Sequence, residues 1–124
     1  MKATILVIDD DEEMRSLLRF TLEREGYTIT SISDGRTALN FLANFKPDLI
    51  IADLLIPEVS GIDLIKQLRS NSQFSSLPII VISAFPSYLE EARKSGATMT
   101  LNKPVDVLEL PKVVQQLLST PSAP

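Results

Sequence analysis

Side chains able to do chemistry begin within two residues after four of the five short apolar runs in this sequence. They are Asp9, Asp10 and Asp11 after the first run, Asp53 after the third, Ser83 after the fourth and Lys103 after the fifth. In an open parallel sheet, reactive groups gather beyond the carboxyl ends of the strands. Carboxylates, a hydroxyl and an ammonium group gathered there would suit phosphoryl transfer, which needs a nucleophile and positive charge beside the phosphoryl oxygens.

The carboxylates also indicate a cation. If the first and third runs form neighbouring strands, Asp9, Asp10 and Asp53 converge, and like charges at close range raise one another's pKa unless a cation lies among them. Mg²⁺ (or Mn²⁺) is suited to such a site, because it prefers oxygen ligands and binds through one or two carboxylates plus a phosphate. In this interpretation Asp53 is the nucleophile, while Lys103 and the cation offset the phosphoryl charge and Ser83 adds a hydrogen bond.

The composition excludes several other chemistries. The chain has no Cys and no His, which removes thiol nucleophiles, Ser-His-Asp systems and the common zinc sites. With 12 basic against 16 acidic residues and a net charge of −4, we expect no direct binding of nucleic acid. No apolar run reaches the roughly 18 residues of a membrane span, and we expect a cytoplasmic protein with no membrane contact.

The chain of 124 residues has the length of one domain. We assign residues 1–118 to that domain. Residues 119–124 are small, polar and proline-rich, which predicts a disordered tail or the start of a linker.

The segments that must position the reactive groups alternate between two periodicities. Apolar runs predict strands at residues 4–8, 28–31, 49–52, 79–82 and 99–101. Apolar residues at helical spacing predict helices around residues 14–22, 38–45, 62–68, 89–92 and 113–118. Strict alternation predicts an α/β fold, with a doubly wound parallel sheet of five strands covered by helices on both faces. The first, third and fourth runs are the most continuously apolar and are expected at its centre.

Capping and breaking residues predict the ends of the helices. Asp34 is placed to begin the second helix and Gly96 to end the fourth, and Asp106 with Glu109 is typical of a capping box before the last. Pro111 is unfavourable beyond a first helical turn, so the last helix is expected to start late or to kink there.

Four short sequence motifs occur in a specific order along the chain. They are ILVIDDD at residues 5–11, PDLIIADLLIP at 47–57 followed by Gly61, LPIIVISA at 77–84, and Gly96-Ala97 followed by Lys103-Pro104. In this order and spacing they resemble the receiver domain family (response regulators) of two-component and phosphorelay signalling. The resemblance spans residues 4 to about 118, nearly the whole chain.

This resemblance implies a flavodoxin-like (βα)₅ sandwich of the chemotaxis-regulator type, with strand order 2-1-3-4-5. It also implies a signalling switch rather than a conventional turnover enzyme. Asp53 would be the phosphoacceptor, charged from the phosphohistidine of a sensor histidine kinase or a histidine phosphotransfer protein. The phosphorylated form would act on a downstream effector or a fused output domain. The missing His then has a reason, because the donor imidazole belongs to another protein.

The resemblance also implies a role for each site residue. Asp10 would be the direct metal ligand and Asp9 its water-mediated companion, joined by Asp53 and by the backbone carbonyl of Leu55. Ser83 would be the switch hydroxyl and Lys103 the phosphate-binding cation. The remaining residues shape loops: they are Pro57 and Gly61 before the third helix, and Pro104 after a cis peptide bond.

Three features set this chain apart from the usual family pattern. Thr100 stands where the family usually has an aromatic switch residue, three positions before the Lys. The stretch from Ser83 to Lys103 is short, which predicts a fourth helix reduced to a stub at residues 88–94. Leu55 and Phe85, at the two variable positions flanking the phosphoacceptor, are apolar and bulky, which predicts slow hydrolysis of the phosphoryl group.

Three rival functions fit parts of the pattern. A flavin-binding module shares the topology, but needs a Gly, Ser or Thr-rich phosphate loop where this chain has three Asp. A haloacid-dehalogenase-like phosphatase would use Asp9 as nucleophile and Asp11 as acid, but is normally larger. A pseudo-receiver would keep the fold and act only as a protein-binding module; the intact set of site residues argues against it.

Overall fold

Five β/α units make up the fold in the computed structural model, which describes residues 3–119. The ten elements are β1 (Thr4–Ile8), α1 (Glu12–Glu23), β2 (Thr28–Ile32), α2 (Gly35–Leu42), β3 (Leu49–Asp53), α3 (Gly61–Arg69), β4 (Ile79–Ser83), α4 (Pro86–Ser95), β5 (Met99–Asn102) and α5 (Leu110–Ser119). Residues 120–124, most of the predicted tail, lie outside the described residues, and Ser119 is the last residue of α5.

The five strands form one parallel sheet in the order β2-β1-β3-β4-β5. This confirms the predicted doubly wound fold, with β1, β3 and β4 at the centre. Every residue of β3 and β4 is buried, as expected of strands covered on both faces. One face packs against α2, α3 and α4, and the opposite face packs against α1 and α5. The two cores cover both faces of the sheet, and parallel pairing places the carboxyl ends of its strands at one edge.

Two helices differ from their predicted bounds. The fourth helix is not a stub at residues 88–94, because α4 runs for 10 residues from Pro86. Proline is favoured at the first helical position, where its missing N–H is not needed, and Gly96 ends the helix with φ 121°. The second helix was predicted to reach Phe45, but α2 ends at Leu42. Phe45 is exposed and stacks on Phe41 with the ring centroids 5.0 Å apart.

Two of the predicted capping residues, Asp34 and Gly96, lie at helix ends, whereas Asp106 begins no helix. The Asp34 carboxylate accepts a hydrogen bond of 2.7 Å from the Thr37 N–H, which lowers the pKa of Asp34 and begins α2. Asp106 accepts from the backbone N–H groups of Leu108 at 2.9 Å and of Glu109 at 3.3 Å. These bonds lie in the turn before α5, so the predicted capping box does not begin that helix. That helix begins at Leu110, so Pro111 falls in its first turn and the predicted late start is confirmed.

Within residues 3–119, the helices are all too short or too polar to cross a bilayer.

An arginine not singled out from the sequence joins three elements at the amino ends of the strands. Arg69, the last residue of α3, donates hydrogen bonds to the carbonyl of Gly96 (2.9 Å), the carbonyl of Phe74 (2.8 Å) and the hydroxyl of Thr98 (3.2 Å). Desolvation lowers the pKa of its guanidinium. Arg69 therefore fixes the end of α4 and the start of β5 against α3.

We expect Arg69→Met to lower the free energy of unfolding by about 2 kcal/mol, because it leaves partly buried acceptors without a donor. Urea denaturation followed by circular dichroism measures the change. The matched control is Arg93→Met, which breaks an exposed ion pair with Glu90 on α4 and should cost less than about 0.5 kcal/mol. Equal stability of the two variants would contradict the role of Arg69.

Candidate functional site

Three carboxylates meet at the carboxyl ends of β1 and β3. These strands are neighbours in the sheet, and Asp9 and Asp10 follow β1 while Asp53 is the last residue of β3. One carboxylate oxygen from each of the three lies within 4.8 Å of the others. Asp9 and Asp53 are 1% and 7% exposed, and Asp10 is exposed. The convergence expected from the sequence is therefore present.

Lys103 directly contacts the carboxylates. Its Nζ donates to Asp53 Oδ2 at 2.6 Å and lies 3.9 Å from Asp9 Oδ2. Lys103 reaches this position because it follows β5 and donates its backbone N–H to the carbonyl of Ser83. The Lys103–Pro104 peptide bond is cis. One positive side chain thus pairs with two of the three clustered carboxylates.

Ser83 is the last residue of β4, the strand beside β3, and is 1% exposed. Its Oγ accepts a hydrogen bond of 3.1 Å from the Phe85 N–H. This contact uses a lone pair of the hydroxyl, so the Ser83 O–H remains able to donate to a ligand. The Ser83 hydroxyl is therefore hydrogen-bonded to the backbone of Phe85, the residue that immediately precedes α4.

The electrostatics of the site follow from burial and crowding. Burial raises the pKa of Asp9, the charges of Asp53 and Asp10 raise it further, and a hydrogen bond of 2.9 Å from the Asp11 N–H opposes them. Burial disfavours the Lys103 ammonium, but its hydrogen bond and ion pair with Asp53 prevail, and the pKa of Lys103 is raised. The site is therefore an anionic cluster only partly neutralised by its own lysine.

Asp11 and Arg15 hold the backbone next to the site in place. The Asp11 carboxylate begins α1 by accepting from the Glu13 N–H at 3.0 Å. Arg15 donates to the backbone carbonyl of Asp9 at 2.7 Å and so holds the end of β1. Sequence reasoning missed Arg15; its place one turn into α1, after an acidic run, is the only sequence signal for it.

The segment between β3 and α3 passes beside Asp53. The Leu55 N–H donates to Asp53 Oδ1 at 3.0 Å, and the Gly61 N–H donates to the Leu54 carbonyl at 3.0 Å, which closes the base of the loop. A Cβ on Gly61 would lie 2.6 Å from the Leu54 Cα, so this close approach requires glycine. The loop thus holds the backbone of Leu55 against the phosphoacceptor candidate.

Two apolar side chains, Leu55 and Phe85, each come two residues after a site residue, Asp53 and Ser83 respectively. Leu55 and Phe85 are half-exposed, and Phe85 contacts the Tyr88 ring on α4, with the ring centroids 5.5 Å apart. Thr100, at the position of the family's aromatic residue, lies on β5 beside Val81 and is partly buried.

The donor set fits a hard divalent cation. It consists of carboxylate oxygens within one ion's reach of one another, with no nitrogen or sulfur ligand available from a chain that lacks His and Cys. A cation there would offset the charge that Lys103 leaves uncompensated.

Comparisons with known proteins agree with this geometry. A family model described as the response regulator receiver domain matches residues 5–115. A 14.6 kDa protein of Leptolyngbya boryana is 40% identical over 114 residues, which cover 90% of this chain and 87% of that protein. Response regulator MprA of Mycolicibacterium vanbaalenii is 37% identical over 95% of this chain, which spans only 51% of that regulator.

Solved structures show the same likeness. The chemotaxis response regulator CheY4 of Vibrio cholerae superposes with a TM-score of 0.88 at 31% identity, covering 94% of this chain and 99% of that one. Because the family model and this structural likeness both extend over nearly all the described residues, the chain belongs to the response regulator receiver domain family of two-component systems.

Proposed function

We propose that this chain accepts a phosphoryl group on Asp53 from a partner's phosphohistidine, in a reaction that requires Mg²⁺ or Mn²⁺, and thereby switches protein–protein interactions. The observation that carries the proposal is the 2.6 Å contact of Lys103 with Asp53 inside a cluster that includes Asp9 and Asp10. A nucleophilic carboxylate, oxygen ligands and a cationic side chain are the parts that phosphoryl transfer needs.

Four groups would hold the cation: the carboxylates of Asp9, Asp10 and Asp53 and the backbone carbonyl of Leu55. When bound, the cation supplies positive charge to the phosphoryl oxygens. Asp9 is buried and held by the Asp11 N–H, which suits an outer contact through water. Asp10 is exposed, which suits a direct one.

The chain's own residues would then divide the work of transfer. A carboxylate oxygen of Asp53 attacks phosphorus, an O–P bond forms, and the P–N bond to the donor imidazole breaks with its electrons returning to nitrogen. Lys103 pairs with the anionic phosphoryl oxygens, and the Ser83 hydroxyl donates to one of them. Because this hydroxyl is bonded to the Phe85 N–H, its recruitment acts on the start of α4.

The partners follow from this role. The donor is a sensor histidine kinase or a histidine phosphotransfer protein, and the target is a downstream effector or a fused output domain. We propose that the receiver domain comprises residues 1–118 and works in the cytoplasm. It acts as a switch and does not turn over substrate as an enzyme.

With a small phosphodonor such as acetyl phosphate and Mg²⁺, we expect the protein to gain the mass of one PO₃ group. Asp53→Asn should abolish the gain, because the amide is not a nucleophile of this kind. Intact-protein mass spectrometry with and without EDTA measures both effects. Asp9→Asn serves as the test of the phosphatase alternative: if Asp53→Asn were still labelled and Asp9→Asn were not, Asp9 would be the nucleophile.

Asp10→Asn should weaken Mg²⁺ binding by about tenfold or more, since it removes a charged ligand. Asp11→Asn is its matched control. Its side chain caps α1 rather than joining the cluster, and Asn caps a helix as well as Asp does, so binding should be unchanged. Isothermal titration calorimetry measures both constants. Equal loss in both variants would mean that only the overall negative charge matters.

Leu55→Asn should hasten loss of the phosphoryl group by about tenfold or more, because an amide can orient the attacking water where Leu55 cannot. Leu55→Met, which keeps an apolar bulky side chain, should leave the decay rate unchanged. Decay of the phosphorylated protein is followed by mass spectrometry after the donor is removed. An unchanged decay rate in Leu55→Asn would show that water access is controlled elsewhere.

A further inference from the structure

The loop between β3 and α3 contains a strained turn. The Val59 N–H donates to the carbonyl of Pro57 at 2.9 Å, and Glu58 between them has φ 74°. This two-residue hydrogen bond around a positive φ is a γ-turn of the rare form. A residue other than glycine in this conformation is strained, and such strain persists only where the surroundings hold it.

The amino end of α2 holds this turn. The Gly35 N–H donates to the same Pro57 carbonyl at 3.0 Å, and Arg36 forms an exposed ion pair of 3.6 Å with Glu58. A Cβ on Gly35 would lie 2.3 Å from the Val59 carbonyl oxygen, so only glycine allows this approach. Because Asp34 begins α2 through Thr37, the Gly35 N–H has a fixed direction.

We propose that Gly35 is a positioning residue for the cation site, acting through the Pro57–Val59 turn on the backbone of Leu55. The inference rests on the proposed function and adds that the corner between β2 and α2 sets the affinity for the cation. Gly35 itself offers no ligand to the cation, because the clustered carboxylates are those of Asp9, Asp10 and Asp53. The loop is closed at its base by the Gly61–Leu54 hydrogen bond and at its tip by Gly35, and Leu55 lies between these two points.

If the hydrogen bond from Gly35 to Pro57 is lost, Glu58 can leave its positive φ. The backbone of the loop then shifts, and the Leu55 carbonyl is no longer held in one position. The expected consequence is weaker cation binding with little change in the chemistry once the cation is bound. Supporting groups around a metal site typically change affinity by about 10- to 100-fold.

Two substitutions at the exposed Glu58 test this without disturbing the core. Glu58→Val and Glu58→Gly both lose the ion pair with Arg36, but a β-branched residue resists φ 74° whereas glycine adopts it freely. We expect the Mg²⁺ dissociation constant to rise about tenfold in Glu58→Val and not to rise in Glu58→Gly. The phosphorylation rate at saturating Mg²⁺ should be the same in both, measured by calorimetry and by mass spectrometry respectively.

A second pair tests Gly35 itself. Gly35→Ala and Gly96→Ala each place a Cβ within 2.7 Å of a neighbouring atom, and both should lower the melting temperature, but Gly96 lies at the opposite edge of the sheet. Only Gly35→Ala should also weaken Mg²⁺ binding. Should Gly35→Ala not fold, the Glu58 pair decides alone.

The outcomes separate this inference from the proposed function. If the wild-type protein neither binds Mg²⁺ nor accepts a phosphoryl group, the proposed function fails. If the wild-type protein does both and Glu58→Val binds Mg²⁺ as tightly as Glu58→Gly does, the positioning role of Gly35 is refuted and the proposed function stands.

Discussion

Repulsion among Asp9, Asp10 and Asp53 is the constraint on which the rest of this structure depends. Each of these carboxylates would be better solvated apart, yet the parallel pairing of β1 and β3 fixes their backbones side by side. Lys103 offsets part of the charge, and the N–H groups of Asp11 and Leu55 offset more. The stability of the two apolar cores is what allows the sheet to keep these groups together.

Much of this arrangement could be predicted from the sequence. Buried parallel strands leave a clear apolar signal, and the first residues beyond them must share one edge of the sheet. For that reason the central place of β1, β3 and β4 and the helix start at Asp34 followed from local patterns. The full strand order came from the family resemblance, and the meeting of Asp9, Asp10 and Asp53 was expected only if β1 and β3 were neighbours. Errors fell at helix ends, where Pro86 reads equally well as a loop residue or as a first helical position.

The supporting contacts could not be predicted in the same way. Arg69, Arg15 and Gly35 act on backbone carbonyls that lie on other elements or several residues away. Such a contact leaves no periodicity in the sequence, because any carbonyl is an acceptor and its position depends on the completed fold. The strained conformation of Glu58 likewise leaves no signal in the sequence, since it is imposed by neighbouring residues rather than by the preference of Glu itself.

The asymmetry of α4 bears on how this domain can move. Arg69 anchors the carboxyl end of the helix at Gly96, whereas Phe85, which precedes its first turn, has no capping side chain and is bonded to Ser83. A tilt of α4 about its anchored carboxyl end would therefore move its amino end, beside Ser83, the most. With 10 residues at 1.5 Å each, a tilt of about 5° would displace the amino end by roughly 1 Å. Under the proposed function, a pull on the Ser83 hydroxyl would thus change the surface of α4 that a partner protein contacts.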